Sequence, residues 1–421
     1  MKRSITKVLF FTLFSSCFLL ISCEKKDGNI EPNDSGNLVN ISTEIYQKEV
    51  IDSVNRFAFD LFKPILANAN GNENIMISPF SISSALSMTL NGAANKTFDA
   101  IRKTLGLEEK TIDQINSTYL KLMKEMVPVD KRVVMEIANS VWVEKKLIVK
   151  QPFITDLKTW YIAEARDIDV TDPKAVDFVN GWIAEKTHDK ITDMLDELDP
   201  GLAMLLINAV YFNGKWRHQF NKADTKDKSF YVSPSIQKTI PMMYLKENYK
   251  VIKRNNLTVI EIPYGQGNYT MVVVLPDENI TTTEAINVLT PSLWNEWMGL
   301  LSDNTHTVEL SMPRFKYMYK KNLNEDLINL GMGIAFADQA DFSKISNQGL
   351  KISRVLHQTF IDNNEEGTEA AAATVVEIVY TTAGPSEALK VNLDHPFLYF
   401  IRESTTGTII FMGKVSDPTL N

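Results

Sequence analysis

Apolar residues recur at helical spacing through much of the first half of the chain. The segments 81–90, 97–107 and 177–195 carry apolar side chains three or four residues apart, with Phe178 and Trp182 in the last segment. Helices in this half and strands in the second half predict an α+β fold. The predicted strands are short, rich in β-branched and aromatic residues and bounded by Gly, Pro, Asn or Asp: 204–212, 269–275, 307–312, 397–401 and 408–412.

One domain accounts for almost the whole chain. After about residue 45 no linker, repeat or change in composition divides the sequence, although 421 residues could form two or three domains. Residues 23–44 are rich in Gly, Asn, Asp, Pro and Lys, which predicts a flexible tether. We therefore expect a signal peptide over 1–22, a tether over 23–44 and a single domain over 45–421.

The amino terminus has the pattern of an export signal. Lys2, Arg3 and Lys7 precede an apolar run over 8–21, which is short for a transmembrane helix. The run ends at Cys23 in a sequence that resembles a bacterial lipobox, where the cysteine is acylated and becomes the first residue. An ordinary signal peptide with cysteines present by chance is the alternative. The lipobox predicts a lipid anchor at Cys23 and an exported protein on the outer membrane or cell surface, facing the periplasm or the exterior.

Charge and cysteine content exclude several classes of function. The chain has 44 Lys and Arg against 52 Asp and Glu, a net charge of −8, and no basic block, so nucleic-acid binding is disfavoured. The two cysteines, Cys17 and Cys23, both lie within the first 23 residues. Cleavage before Cys23 leaves a domain without a disulfide or a catalytic thiol.

The sequence gives no positive evidence for an enzyme. None of the histidines belongs to an HExxH pair or has zinc-finger spacing, and there is no GxSxG elbow or phosphate-binding loop. We therefore expect no metal and no cofactor, and a hydrolase is the weakest of the hypotheses. The five histidines are His188, His218, His306, His357 and His395.

The segment 363–380 carries the most information. Its four consecutive alanines suit a helix, and on propensity alone that alternative stays open. At period two, however, one face carries no charge, whereas Glu369 and Glu377 both lie on the other. Small side chains on one face are what a strand needs if it must slide between two packed strands. The uncharged face consists of Thr368, Ala370, Ala372, Thr374, Val376 and Ile378.

The segment resembles the reactive-loop hinge of inhibitory serpins. Further motifs in family order extend the resemblance over about 50–418, among them 74–82, 207–216, 312–315 and 411–415. The resemblance implies three β-sheets, eight or nine helices and an exposed reactive loop. It also implies a monomeric, irreversible suicide inhibitor that traps a serine protease as an acyl-enzyme when the cleaved loop inserts into a sheet. The hinge residues are Glu365, Glu366, Gly367, Thr368, Glu369, Ala370, Ala371, Ala372, Ala373 and Thr374.

Other residues acquire roles through the same resemblance. Ser78, Ser81, Asn208 and His357 match the polar cluster that holds the strands together beneath the opening of the sheet, and Trp216 matches the tryptophan at the top of that sheet. Catalysis by His357 is the competing interpretation. A core histidine is favoured because apolar residues precede it and no carboxylate partner is evident in the sequence.

The family count and the pocket chemistry give different positions for the cleaved bond. The family count of sixteen residues beyond Glu365 gives the bond between Thr381 and Thr382, whereas Tyr380 suits a chymotrypsin-like pocket and Val379 an elastase-like one. No Arg or Lys lies over 367–389, which disfavours trypsin-like targets. A serpin that no longer inhibits and instead binds or carries a ligand is the alternative function.

Overall fold

The computed structural model describes residues 38–368 and 388–420, which belong to one compact unit. The described part of the chain contains nine α-helices. They are α1 (Ile45–Ala67), α2 (Pro79–Gly92), α3 (Asn95–Thr104), α4 (Ile112–Met126), α5 (Gln151–Trp160), α6 (Ala175–Lys186), α7 (Thr282–Val288), α8 (Pro291–Ser302) and α9 (Asn324–Leu327).

Fifteen strands lie in the same residues, most of them in the second half of the chain. They are β1 (Ile75–Ile77), β2 (Val133–Glu144), β3 (Glu164–Ile168), β4 (Met204–Lys215), β5 (Lys226–Ser233), β6 (Ile236–Arg254), β7 (Leu257–Pro263), β8 (Tyr269–Pro276), β9 (Thr305–Pro313), β10 (Phe315–Asn322), β11 (Leu356–Asn364), β12 (Gly367–Thr368), β13 (Leu389–Asn392), β14 (Phe397–Glu403) and β15 (Ile409–Val415).

The strands form two hydrogen-bonded sheets. Sheet 1 has six strands in the order β10-β11-β12-β4-β2-β3. Sheet 2 has nine, in the order β1-β15-β14-β8-β7-β6-β9-β13, with β5 also paired to β6. The 19-residue β6 pairs with β5 and β9 along its first part and with β7 near its end. Two of the three expected sheets are therefore joined through β6 into one. The predicted α+β class of fold is confirmed.

Helices cover both sheets and enclose one main core. Every residue of β8 and of β15 is buried, which is why these strands read as continuous apolar runs. Phe59 of α1, Trp294 of α8 and Phe400 of β14 form an aromatic cluster with ring centroids 4.6–6.0 Å apart. These contacts fix the first helix and a late strand in the same core.

Strand β4 is covered on both faces, as its apolar run predicts. Leu206 and Val210 pack against the main core, whereas Ile207 and Ala209 belong to a second, smaller cluster beneath α6. The alternation follows the two-residue period of a strand.

Two predictions from the pattern are wrong in detail. The predicted helix 177–195 ends at Lys186, because His188 and Asp189 adopt left-handed backbone conformations with φ of 50° and 59°. Phe178, assigned to its apolar face, is 60% exposed. The long strand β2 was not predicted, since Asn139 and Ser140 interrupt its apolar pattern although both are buried.

The orientation of α6 can be tested by two alanine substitutions. Ile183→Ala removes a side chain that is 1% exposed and should lower the free energy of unfolding by about 2–5 kcal/mol. Phe178→Ala should change it by no more than about 0.5 kcal/mol. Denaturant titration measures both, and a larger loss in the Phe178 variant would contradict the orientation described above.

Candidate functional site

The top of sheet 1 accommodates a strand between β4 and β11. The two-residue strand β12 pairs antiparallel with both neighbours, where Thr368 faces Asn363 on one side and Gly214 on the other. Within the described residues no register pair joins β4 directly to β11, so β12 is their link in the sheet. The start of the predicted hinge therefore occupies the place of a central strand.

Two glycines permit this close approach. A Cβ atom on Gly367 would lie 2.0 Å from the carbonyl oxygen of Gly214. A Cβ atom on Gly214 would in turn lie 2.8 Å from the ring of Phe212. Glycine at both positions lets the hinge backbone reach the end of β4 without displacing it.

Thr368, the first residue of the predicted buried face, is 3% exposed. Its hydroxyl lies 2.7 Å from the hydroxyl of Tyr264, and burial holds the pKa of Tyr264 well above its usual value. Tyr264 stacks on Trp216 with a centroid distance of 4.3 Å and an interplanar angle of 11°. The uncharged face thus begins in a buried, hydrogen-bonded position.

Trp216 lies at the end of β4, next to the turn that leads into β12. Its indole Nε1 donates a hydrogen bond of 3.0 Å to the carbonyl of Asn364, and its backbone N–H donates one of 2.8 Å to the carbonyl of Glu366. Both bonds cross from the β4 side to the β11 side. The side chain therefore fixes the turn as well as filling the core.

The turn buries two acidic side chains that sequence reasoning did not pair. Glu365, 1% exposed, accepts hydrogen bonds from Arg314, with Nε at 2.8 Å, and from Thr225. Burial raises the pKa of Glu365, but these hydrogen bonds outweigh it and the net shift is downward. Lys222 Nζ lies 2.7 Å from Glu366 Oε1. Arg314 stands in one of the family-like motifs, but nothing in the sequence indicates its partner.

The four residues of the predicted polar cluster come together below this point. The backbone N–H of Ser78 donates to His357 Nε2 at 3.0 Å, and its hydroxyl donates to the carbonyl of Ile410 at 2.8 Å. The hydroxyl of Ser81 donates to the carbonyl of Asn208 at 3.3 Å. Burial lowers the pKa of His357 to about 3, so its ring is neutral at physiological pH. These contacts favour a core histidine.

A chain of hydrogen bonds through asparagine side chains extends the cluster into the helices. Asn208 Nδ2 donates to Asn139 Oδ1 at 2.7 Å, and Asn139 Nδ2 donates to the carbonyl of Tyr161, also at 2.7 Å. The hydroxyl of Tyr161 donates to Asn116 Oδ1 at 2.8 Å. This network links β4 and β2 to α4. Sequence reasoning missed it because isolated asparagines carry no signal of their spatial neighbours.

Comparison with known proteins agrees with this architecture. The family model described as "Serpin (serine protease inhibitor)" matches residues 52–418. The chain belongs to the serpin family. It is similar to the pig leukocyte elastase inhibitor, with 35% identity over 86% of this chain and 98% of that one.

Two solved structures share the fold. The thermophilic serpin tengpin, in its native state, has a TM-score of 0.80 and 34% identity, covering 89% of this chain and 96% of that one. Human thyroxine-binding globulin, solved in complex with thyroxine, has a TM-score of 0.81 and 28% identity, covering 89% of this chain and 100% of that one.

Several predicted site residues of this serpin lie outside the described residues. They are the hinge from Glu369 to Thr374, the bond candidates Val379, Tyr380, Thr381 and Thr382, and the lipidation candidate Cys23. Over 38–368 and 388–420, no helix is long and apolar enough to cross a membrane, and no three His, Cys, Asp or Glu side chains group as metal ligands would.

The buried His357 makes folding sensitive to pH. The unfolded chain takes up a proton near pH 6.5, whereas the folded ring resists protonation until about pH 3, so stability is lost as the pH falls below 6.5. The loss attributable to His357 should be about 1.4 kcal/mol per pH unit. In His357→Gln the amide oxygen can still accept from Ser78. Because pH 5.5 lies one unit below 6.5, the fall in the free energy of unfolding between pH 7 and 5.5 should be about 1.4 kcal/mol smaller in this variant than in the wild type.

His395 also contributes to the pH dependence of stability, in the opposite direction to His357. Burial opposes its protonation, but hydrogen bonds with Asp394 and the carbonyl of Pro276 raise its pKa overall, so its stabilisation is present at low pH and lost as the pH rises. His395→Gln should therefore steepen the loss of stability on acidification. Identical pH profiles for wild type and His357→Gln would contradict the assigned environment of His357.

Proposed function

We propose that this serpin is an irreversible suicide inhibitor of serine proteases and acts as a monomer. The observation that carries the proposal is the position of β12, which places the start of the hinge between β4 and β11 and antiparallel to both. A loop that continued in the same direction would extend an existing central strand. Its backbone amides would then find partners on two sides, which is a strong driving force for insertion.

The reaction follows from the chemistry of the protease. Its serine oxygen attacks a carbonyl carbon of the reactive loop, the peptide bond breaks, and the new amine leaves with a proton while the loop stays on the enzyme as an ester. Insertion of the hinge into sheet 1 then moves the loop, with the protease still attached through the ester, before water can hydrolyse that ester. The inhibitor is consumed in one turnover and is not an enzyme.

The composition of the loop favours chymotrypsin-like or elastase-like targets. Val379, Tyr380, Thr381 and Thr382 offer aliphatic, aromatic and small side chains, and no Arg or Lys lies over 367–389. The name of the pig relative, leukocyte elastase inhibitor, agrees with the second class.

A carrier function is the second candidate. Human thyroxine-binding globulin, solved with thyroxine bound, has a TM-score of 0.81 to this chain. A member of that type would bind a ligand without trapping a protease. Loop cleavage without a covalent complex would favour this candidate.

The inhibitor hypothesis predicts a covalent complex that depends on the face of the inserted strand. Wild-type protein mixed with chymotrypsin or elastase should give a band of the combined mass that survives denaturing electrophoresis. Ala372→Arg would bury an unpaired charge and should convert the protein into a cleaved substrate. Ala371→Arg, on the face of Glu369 and Glu377, is the matched control and should keep most of the complex.

Two outcomes would count against this assignment. Absence of any complex with a panel of serine proteases would remove the inhibitory function. Equal loss of complex in the two arginine variants would instead leave inhibition in place and show that the strand does not have the predicted faces.

We also propose that the protein is an exported lipoprotein anchored through Cys23. The basic start, the apolar run over 8–21 and the lipobox-like ending support this assignment. When the full chain is expressed in bacteria fed with labelled palmitate, the wild type should incorporate label and fractionate with membranes. Cys23→Ala should incorporate none, and Cys17→Ala should behave as wild type. Label retained in Cys23→Ala would refute the anchor.

A further inference from the structure

Four exposed cations lie at one edge of the domain, just before β2 and at the end of β4. Within the described residues none of them forms an ion pair. The segments 127–132 and 213–218 contain these four cations and one acidic residue, Asp130, whereas the whole chain has a net charge of −8. The four residues, which we call the basic edge, are Lys131, Arg132, Lys215 and Arg217.

The turn between β7 and β8 lies against the second pair of cations. The backbone N–H of Gly265 donates a hydrogen bond of 2.8 Å to the carbonyl of Lys215, and that of Arg217 donates one of 2.9 Å to the carbonyl of Pro263. A Cβ atom on Gly267 would lie 3.3 Å from the guanidinium of Arg217. The turn is therefore in contact with the end of β4.

Asp130 joins the first pair of cations to the same turn. Its carboxylate accepts a hydrogen bond of 2.9 Å from the backbone N–H of Arg132 and one of 2.7 Å from the backbone N–H of Gln266. Asp130 is buried, so the acidic group lies beneath the surface whereas the cations lie on it. The edge therefore presents positive charge to its surroundings.

The first described residues of the domain lie against this turn as well. The side-chain amide of Asn268 accepts a hydrogen bond of 3.1 Å from the backbone N–H of Val39 and donates one of 2.7 Å to its carbonyl. Leu38 and Val39 are both 49% exposed. Val127, 37% exposed, follows the residue whose carbonyl accepts a hydrogen bond of 2.6 Å from the hydroxyl of Tyr269. Exposed apolar side chains and cations thus share the surface around one turn.

The predicted tether limits the distance between this edge and a bilayer. Fourteen residues, 24–37, separate Cys23 from Leu38, and even a fully extended chain of that length spans no more than about 50 Å. A tethered surface meets the membrane at high effective concentration, so weak contacts suffice to hold it there. Because the chain carries net negative charge, anionic lipids repel the domain as a whole but attract the basic edge. Charge and tether both favour this edge.

We propose that the basic edge is a docking surface for a bilayer that contains anionic phospholipids. The four cations bind lipid phosphates, and Leu38, Val39 and Val127 enter the boundary between headgroups and acyl chains. Because Lys215 pairs in register with Gly367, docking at this edge holds the start of the hinge beside the bilayer. The proposal rests on the lipoprotein assignment, since the anchor brings the edge to the membrane.

A fluorophore on the edge measures docking. Val127→Cys is labelled with a polarity-sensitive dye in the full lipoprotein, where signal cleavage has removed Cys17 and acylation blocks Cys23. The protein is reconstituted in vesicles of phosphatidylcholine alone or with about 30% phosphatidylglycerol. Emission should rise at least about two-fold with the anionic lipid and fall back when NaCl is raised from about 0.1 M to about 1 M, because salt screens the attraction. The same dye at Phe178→Cys, on α6, should respond little.

Charge reversal provides a matched pair of variants. Lys131→Glu with Arg132→Glu should reduce the docking equilibrium at least about ten-fold. Lys253→Glu with Arg254→Glu changes the net charge equally beside the far end of β7, roughly 20 Å from Pro263. This pair should reduce docking by less than about three-fold, because it lies beyond the screening distance. All four side chains are exposed, so both variants should fold.

The outcomes separate docking from the anchor. If the wild type incorporates no palmitate, the anchor fails and docking fails with it. If the protein is lipidated but the Val127 dye does not respond to anionic lipid, or both charge reversals have equal effects, docking alone is overturned. Binding of soluble dextran sulfate without a response to anionic vesicles would also overturn it, because the edge would then bind a soluble polyanion. A salt-sensitive response that is lost only in the Lys131 and Arg132 variant would support it.

Discussion

The fold depends on how β4 and β11 are joined. In the described residues they are linked through the two-residue β12, and strand backbones in a sheet interior need hydrogen-bond partners on both sides. The structure meets this requirement at the top with the start of the hinge. Trp216 and the buried acidic turn hold that start in place, and the polar cluster around His357 supports the strands below it.

Burial of polar groups in this region makes it specific. Glu365, His357 and Asn139 lie where an unmatched polar group is costly, and each has defined partners. Hydrogen-bond networks of this kind stabilise one arrangement of the strands, and that stabilisation is lost when the strands move. Apolar packing alone would tolerate many separations between the strands, whereas these polar contacts favour one.

The sequence carried much of the fold and part of the site. Period two in 363–380, read with the family-like motifs, predicted a strand, and Gly367 and Thr368 form the two-residue β12 between β4 and β11. Insertion of the residues that follow stays a prediction. The pattern could not indicate the partners of Glu365, because Arg314 and Thr225 lie 51 and 140 residues away. The apolar pattern also predicted a helix that continues past the end of α6 at Lys186. Ile191 and Leu195 keep helical spacing, but they are buried from a segment that is neither helix nor strand.

Local chemistry thus determined the class of fold and the uncharged face of the hinge and predicted an export signal, because each depends on residues close together in the chain. Tertiary structure alone decided that Gly367 approaches Gly214, that His357 is neutral and that the four cations of the basic edge surround one turn. Those properties depend on distances and burial set by strands far apart in sequence. A linear pattern gives the residue types at such a site, but only folding brings them within hydrogen-bond distance.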